Sequence, residues 1–82
     1  MSYRILIVKV FTRSRQAPRV QEILTRHGCA IRTRLGLHEV SPDYCAEDGL
    51  IILELTGDSN EIAALQKDLE TLEGVSTKLV EI

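Results

Sequence analysis

The sequence predicts an α+β fold in which four strands and two helices follow the order βαββαβ, and three observations carry that prediction. Two short runs, residues 3–11 and 50–55, are apolar on both alternating faces, as strands covered on both sides must be. Two stretches with apolar residues at helical spacing each stop at a glycine, Gly28 and Gly74. The remaining runs, residues 30–40 and 75–82, mix polar and apolar residues and suit the edges of a sheet.

The first strand, YRILIVKVF, sets Ile5 and Ile7 on one side and Leu6, Val8 and Val10 on the other. A loop, TRSRQAP, leads into a helix with Ala17, Val20, Ile23 and Leu24 on one stripe. Pro18 belongs in the first turn of that helix, where a missing N–H costs least, and Gly28 is the expected left-handed residue at its end. The second strand alternates Ile31, Thr33, Leu35 and Leu37 with Arg32, Arg34, Gly36 and His38. A nine-residue connection, SPDYCAEDG over residues 41–49, is then expected before the third strand, LIILEL, whose one charge is Glu54. Asp58 and Glu61 have capping-box spacing, with Ser59 as a competing cap, and the helix they open carries Ile62, Leu65, Leu69 and Leu72.

Split βαβ units of this order build a four-stranded antiparallel sheet with spatial order 4-1-3-2 and both helices on one face, the ferredoxin-like plait. Polarity agrees, because the two doubly apolar runs become the central strands. The helices cover one face only. The other face of the central strands is therefore expected to meet another subunit, as a homo-dimer or tetramer assembled through the sheet.

With 82 residues the chain is expected to form one domain spanning residues 1–82, a small core that gains from a partner. No apolar run approaches the roughly 18 residues of a membrane span, Arg4 interrupts any leader-like start, and two cysteines make no disulfide framework. A cytoplasmic protein without membrane contact is expected. The net charge of −2 conceals a division near Ser41. Residues 1–41 hold eight Lys and Arg against two acids, whereas residues 42–82 hold two against ten. Since the basic residues form no run, this division reads as attraction between two halves or two subunits rather than as a nucleic-acid surface.

Residues spread along nearly the whole chain resemble a known family. They include Val20-Gln21-Glu22-Ile23-Leu24, Gly28, Arg34-Leu35-Gly36-Leu37, Asp48-Gly49-Leu50-Ile51-Ile52-Leu53, Gly57-Asp58, Glu61-Ile62, Leu65, Leu69 and Leu72-Glu73-Gly74-Val75. In these positions the sequence resembles the small ACT-like regulators of the iron-only hydrogenase system. That family is similar to the C-terminal metal- and ligand-sensing domain of nickel-responsive repressors, which assembles through its sheets. The resemblance implies an oligomeric regulatory or ligand-sensing domain. Two departures stand out: the connection over residues 41–49 is longer than the hairpin expected of the family, and Thr12-Arg13-Ser14-Arg15 replaces the Asp-x-x-Gly pattern of amino-acid-binding ACT domains. The plait consumes the chain and leaves no helix-turn-helix or ribbon-helix-helix segment, so direct nucleic-acid binding is not expected.

Two sets of residues are candidates for chemistry. Arg13, Arg15 and Arg19, near the start of the first helix, suit a small anionic ligand, or else form a solvated basic face that meets an acidic partner. His27, Cys29, His38 and Cys45 are ligand types for a divalent transition metal such as nickel, zinc or copper. His27 and Cys29 fall at one end of the second strand and His38 and Cys45 at or beyond the other, roughly 25–30 Å away at about 3.3 Å per residue. A metal site would therefore join His38 and Cys45 across two subunits. Nothing in the order of Ser, His, Asp or Cys suggests a nucleophile, so the sequence reads as a non-catalytic sensing module, with a metal-responsive sensor or a pure protein-interaction module as alternatives.

Overall fold

The computed structural model describes residues 2–11, 13–41 and 44–82. Its elements are β1 (Arg4–Val10), α1 (Arg13–Arg26), a 3-10 turn (Gly28–Ala30), β2 (Ile31–Ser41), β3 (Tyr44–Leu55), α2 (Ser59–Glu70) and β4 (Val75–Glu81). The strands form one antiparallel sheet of order β2-β3-β1-β4. This is the βαββαβ plait that the polarity of the strands predicts, with the apolar pair β1 and β3 in the middle. Leu6, Val8 and Val10 of β1 and Leu53 and Leu55 of β3 are buried against Val20, Ile23 and Leu24 of α1 and Ile62, Leu65 and Leu69 of α2. Leu6, Leu53, Leu65 and Leu69 are wholly enclosed, which places the core between the helices and one face of the sheet.

The second helix starts where its cap predicts. Asp58 is extended, and its side chain accepts a 2.8 Å hydrogen bond from the Glu61 N–H, satisfying one of the donors a helix start leaves free. Gly57, just before it, has φ +100°, and a Cβ there would collide with the Glu61 carboxylate. Gly74, with φ +80°, turns the chain into β4 after α2 has ended at Glu70.

Three local expectations are corrected. The first helix begins at Arg13 rather than beside Pro18, so this proline is the sixth residue of the helix and not in its first turn. The extra turn is polar and shows no apolar period, yet arginine and glutamine are good helix formers. Gly28 is not left-handed; it opens the 3-10 turn, closed by Ala30 N–H donating to the His27 carbonyl at 2.9 Å. The supposed long connection over residues 41–49 is mostly strand: Cys45 pairs with Val40 and Tyr44 with Ser41, so only residues 42–43 separate β2 from β3, and they lie outside the described residues. Since β1 ends at Val10 opposite Gly49, the β2–β3 ladder runs on past the sheet as a two-stranded arm.

Candidate functional site

Alternation along β1 fixes the open face of the sheet. Leu6, Val8 and Val10 point to the helices, so Ile5, Ile7 and Lys9 point away from them. Register extends this face into rows: Leu35, Ile52, Ile7 and Lys78 form one, and Thr33, Glu54, Ile5 and Val80 the next. Leu35, Tyr3 and Phe11 are exposed large hydrophobic residues, and Lys9 Nζ lies 4.5 Å from the centre of the Phe11 ring. Glu54 accepts a 3.3 Å hydrogen bond from the Thr33 hydroxyl and lies 3.7 Å from Arg32. Both helices pack on the other side of the sheet and leave this surface open.

The opposite side carries the helices and a groove of about 440 Å³ between them, lined by Arg19, Glu22, Ile23, Arg26, Asp68, Thr71 and Leu72. Its charges largely answer each other. Arg26 lies 3.6 Å from Glu22 and 3.7 Å from Asp68, and His27 Nε2 lies 2.7 Å from Asp68 Oδ2. Arg15 and Arg19, one helical turn apart, are both exposed, and neither forms an ion pair with a described residue. These two arginines form an exposed cationic pair on α1, and Lys67 is a further exposed cation on α2. The side chain of Arg13, the third member of the predicted anion site, lies outside the described residues.

The predicted metal ligands divide as the strand length requires. His27 is engaged by Asp68, and Cys29 is an exposed free thiol in the 3-10 turn just before β2. His38 stands opposite Gly49, and Cys45 opposite Val40, on the arm at the other end of the same strands; the side chains of both lie outside the described residues. Among the described residues, no three His, Cys, Asp or Glu side chains gather where a metal ion would sit. Sequence reasoning missed the His27–Asp68 contact, since 41 residues separate the pair. Arg34 donates to the side-chain oxygen of Gln21, tying β2 to α1.

Strand order, connectivity and helix placement together define an ACT-like or PII-like plait of ferredoxin topology. The chain matches no protein-family model and no curated protein. It is similar to solved structures along its full length. The uncharacterized protein TM1266 from Thermotoga maritima is 28% identical with a TM-score of 0.81, the alignment covering 100% of this chain and 99% of that one. CPII, a nitrogen regulatory PII-like protein from Thiomonas intermedia K12 in complex with ADP, AMP and bicarbonate, has a TM-score of 0.69 at 10% identity, covering 100% and 91%. A PII-like signalling protein from Thermus thermophilus, TTHA0516, has a TM-score of 0.68 at 10% identity, covering 100% and 88%. At 10% identity these last two likenesses are likenesses of fold. Among the described residues no helix is long and apolar enough to cross a membrane.

Proposed function

We propose that this chain is a small regulatory module that senses an anionic small molecule, acts as a homo-oligomer in the cytoplasm and catalyses no reaction. The observation that carries the reading is the pairing of a whole-chain plait, shared with a PII-like protein that binds ADP, AMP and bicarbonate, with the exposed Arg15 and Arg19 on α1. Guanidinium groups bind phosphate and carboxylate in a fork, and two of them a turn apart grip one anion. The finer assignment, regulation of transcription in an iron-only hydrogenase system, rests on the family resemblance of the Gly, Leu and Ile positions.

Calorimetric titration with ADP, AMP and bicarbonate tests this reading. Saturable binding of one of the three, weakened about tenfold or more in Arg15→Ala or Arg19→Ala, is the expected result. Absence of heat with all three at millimolar concentration would remove the ligand-sensing part.

A second reading, a metal-responsive sensor, is favoured by one observation: the β2–β3 arm, with a register shift between His38 and Val40, has His38 and Cys45 on paired strands rather than in a loose loop. One chain brings one histidine and one cysteine to the arm, so a nickel-like site built of those ligand types would borrow from a second subunit. Titration with Ni²⁺ or Zn²⁺ that promotes assembly in the native chain and not in His38→Ala or Cys45→Ala would support it. A third reading, a pure assembly module, predicts instead capture of a protein partner that weakens steeply with salt.

A further inference from the structure

The open face of the sheet has a symmetry of its own. Taking Ile7 as the centre, Ile5 and Lys9 lie two residues to either side, and Tyr3 and Phe11 four residues to either side. The row through Ile7 holds Leu35 and Ile52 on neighbouring strands, and Glu54 sits beside Ile5 on β3. Three of the exposed large hydrophobic residues belong to this face: Leu35 at 53%, Tyr3 at 52% and Phe11 at 43%.

We propose that the open face binds a second copy of this chain, turned about a two-fold axis that crosses the strands along the row of Leu35, Ile52 and Ile7, and that Glu54 of each copy pairs with Lys9 of the other. The proposal deepens the homo-oligomeric part of the function proposed above and rests on it. Rotation about that axis exchanges the two ends of β1. Tyr3 then lies over the second copy's Phe11, twice over, while Leu35, Ile52 and Ile7 each meet their own counterparts. Lys9 lies over the second copy's Ile5, one strand from its Glu54. Aligned sheets pack face to face about 10 Å apart with strands about 4.8 Å apart, so carboxylate and ammonium meet with extended side chains.

Charge decides between this axis and the obvious competitor. An axis running along β1 would set Lys9 against Lys9 in the middle of the interface and lay Glu54 over Val80, burying like charges together. The crossing axis leaves one like pair, Lys78 with its counterpart. Lys78 is exposed on edge strand β4, where solvent screens the repulsion. Within one copy Lys9 and Glu54 are separated by about 13 Å along the strand and one strand across, so they do not satisfy each other; Glu54 has Arg32 at 3.7 Å and the Thr33 hydroxyl at 3.3 Å, and Lys9 has the Phe11 ring at 4.5 Å, at the surface of the isolated chain.

Sedimentation of the native chain and of Glu54→Lys and Lys9→Glu, alone and mixed, tests the pairing. Each variant alone places like charges at both contacts and is expected to raise the dimer dissociation constant about tenfold or more. Their equimolar mixture restores both contacts, one between the two introduced charges with reversed sign and one between native Lys9 and native Glu54, so assembly returns to within about threefold of the native chain. Because rescue needs two folded partners, it also excludes misfolding as the cause. Variants that assemble as the native chain does, or a mixture that stays apart while the native chain is oligomeric, would overturn this interface and leave the oligomeric reading standing. A native chain that is monomeric at every concentration would overturn both, whereas the ADP titration fails or succeeds independently of either.

Discussion

His27 Nε2 lies 2.7 Å from Asp68 Oδ2, fastening the C-terminal end of α1 to α2 across 41 residues of sequence. The imidazole is largely enclosed, its side chain 16% exposed, and the carboxylate also draws Arg26 to 3.7 Å. Beyond packing, this is the main polar tie described between the two helices. Asp68→Asn retains a hydrogen-bond acceptor and is expected to cost less than His27→Ala, which leaves the carboxylate with Arg26 alone. With its carboxylate 37% exposed and shared with water, a hydrogen bond of this kind contributes about 1 kcal/mol net, so His27→Ala is expected to lower the melting temperature by about 4–8 °C. An unchanged melting curve would mean that the pair is as weak as an exposed surface ion pair.

The start of α2 gives a cleaner measurement. Replacing the Asp58 cap by alanine strands the Glu61 N–H, with an expected cost of about 1 kcal/mol, whereas Asp58→Asn keeps the acceptor and costs a few tenths at most. Denaturant midpoints of the two variants compared with the native chain provide the check. Equal losses would show that the carboxylate charge near the helix start, rather than the hydrogen bond, is what stabilises it.

Gly57 is constrained by its backbone, whereas the atom nearest an added side chain is the far end of the exposed Glu61 side chain, which is free to swing aside. Its φ of +100° is disfavoured for any L side chain, and an added Cβ would strike the Glu61 carboxylate. Gly57→Ala is therefore expected to destabilise by about 1–3 kcal/mol. In a Glu61→Ala background the contact disappears while the backbone strain stays, so nearly all of the penalty is expected to remain. Chemical denaturation of the four proteins of this cycle separates the two causes.

What was legible in the sequence was whatever repeats locally. Residues 3–11 and 50–55, apolar on both faces, mark the central strands and so order the sheet, and the spacing of Asp58 to Glu61 marks the cap; which apolar set of β1 meets the helices, Leu6, Val8 and Val10, is set by tertiary packing. Features set by tertiary contact were not legible. Gly28 looks like a helix terminator, but the chain continues into a 3-10 turn held by His27 and Ala30, and nothing local announces that His27 will meet Asp68. The run SPDYCAEDG over residues 41–49 suggests a long loop, whereas the pairing of Cys45 with Val40 needs a partner strand to become visible. Of the candidate site, the arginines of α1 were visible as composition. The rows of the open face required the register of four strands.

Core and open-face residues of the same type should part company under mutation. Leu65 is fully enclosed, so Leu65→Ala removes buried surface and leaves a cavity, at an expected cost of about 2–5 kcal/mol. Leu35 is half exposed in the isolated chain, and Leu35→Ala is expected to change the stability of the monomer by about 0.5 kcal/mol or less while weakening assembly. Thermal melts at low and high protein concentration distinguish the two effects. If Leu35→Ala lowered stability equally at both, the residue would belong to the core of the single chain and not to an interface.

Pro18 offers a case in which two effects of one residue oppose each other. Its ring nitrogen has no proton, so as the sixth residue of α1 it leaves unmade the hydrogen bond to the carbonyl four residues earlier, and proline inside a helix costs about 3 kcal/mol. Against this, proline restricts the unfolded chain, which favours the folded state by about 0.4–1 kcal/mol where the native backbone accepts it. The helix penalty is the larger. Lying near the start of α1 and exposed, Pro18 has room for the helix to adjust around it, which trims the penalty without reversing it. Pro18→Ala is thus expected to raise stability by about 1–2 kcal/mol and to slow hydrogen exchange in the first turns of α1. A destabilised variant would mean that the restriction of the unfolded chain by proline outweighs the missing helix hydrogen bond.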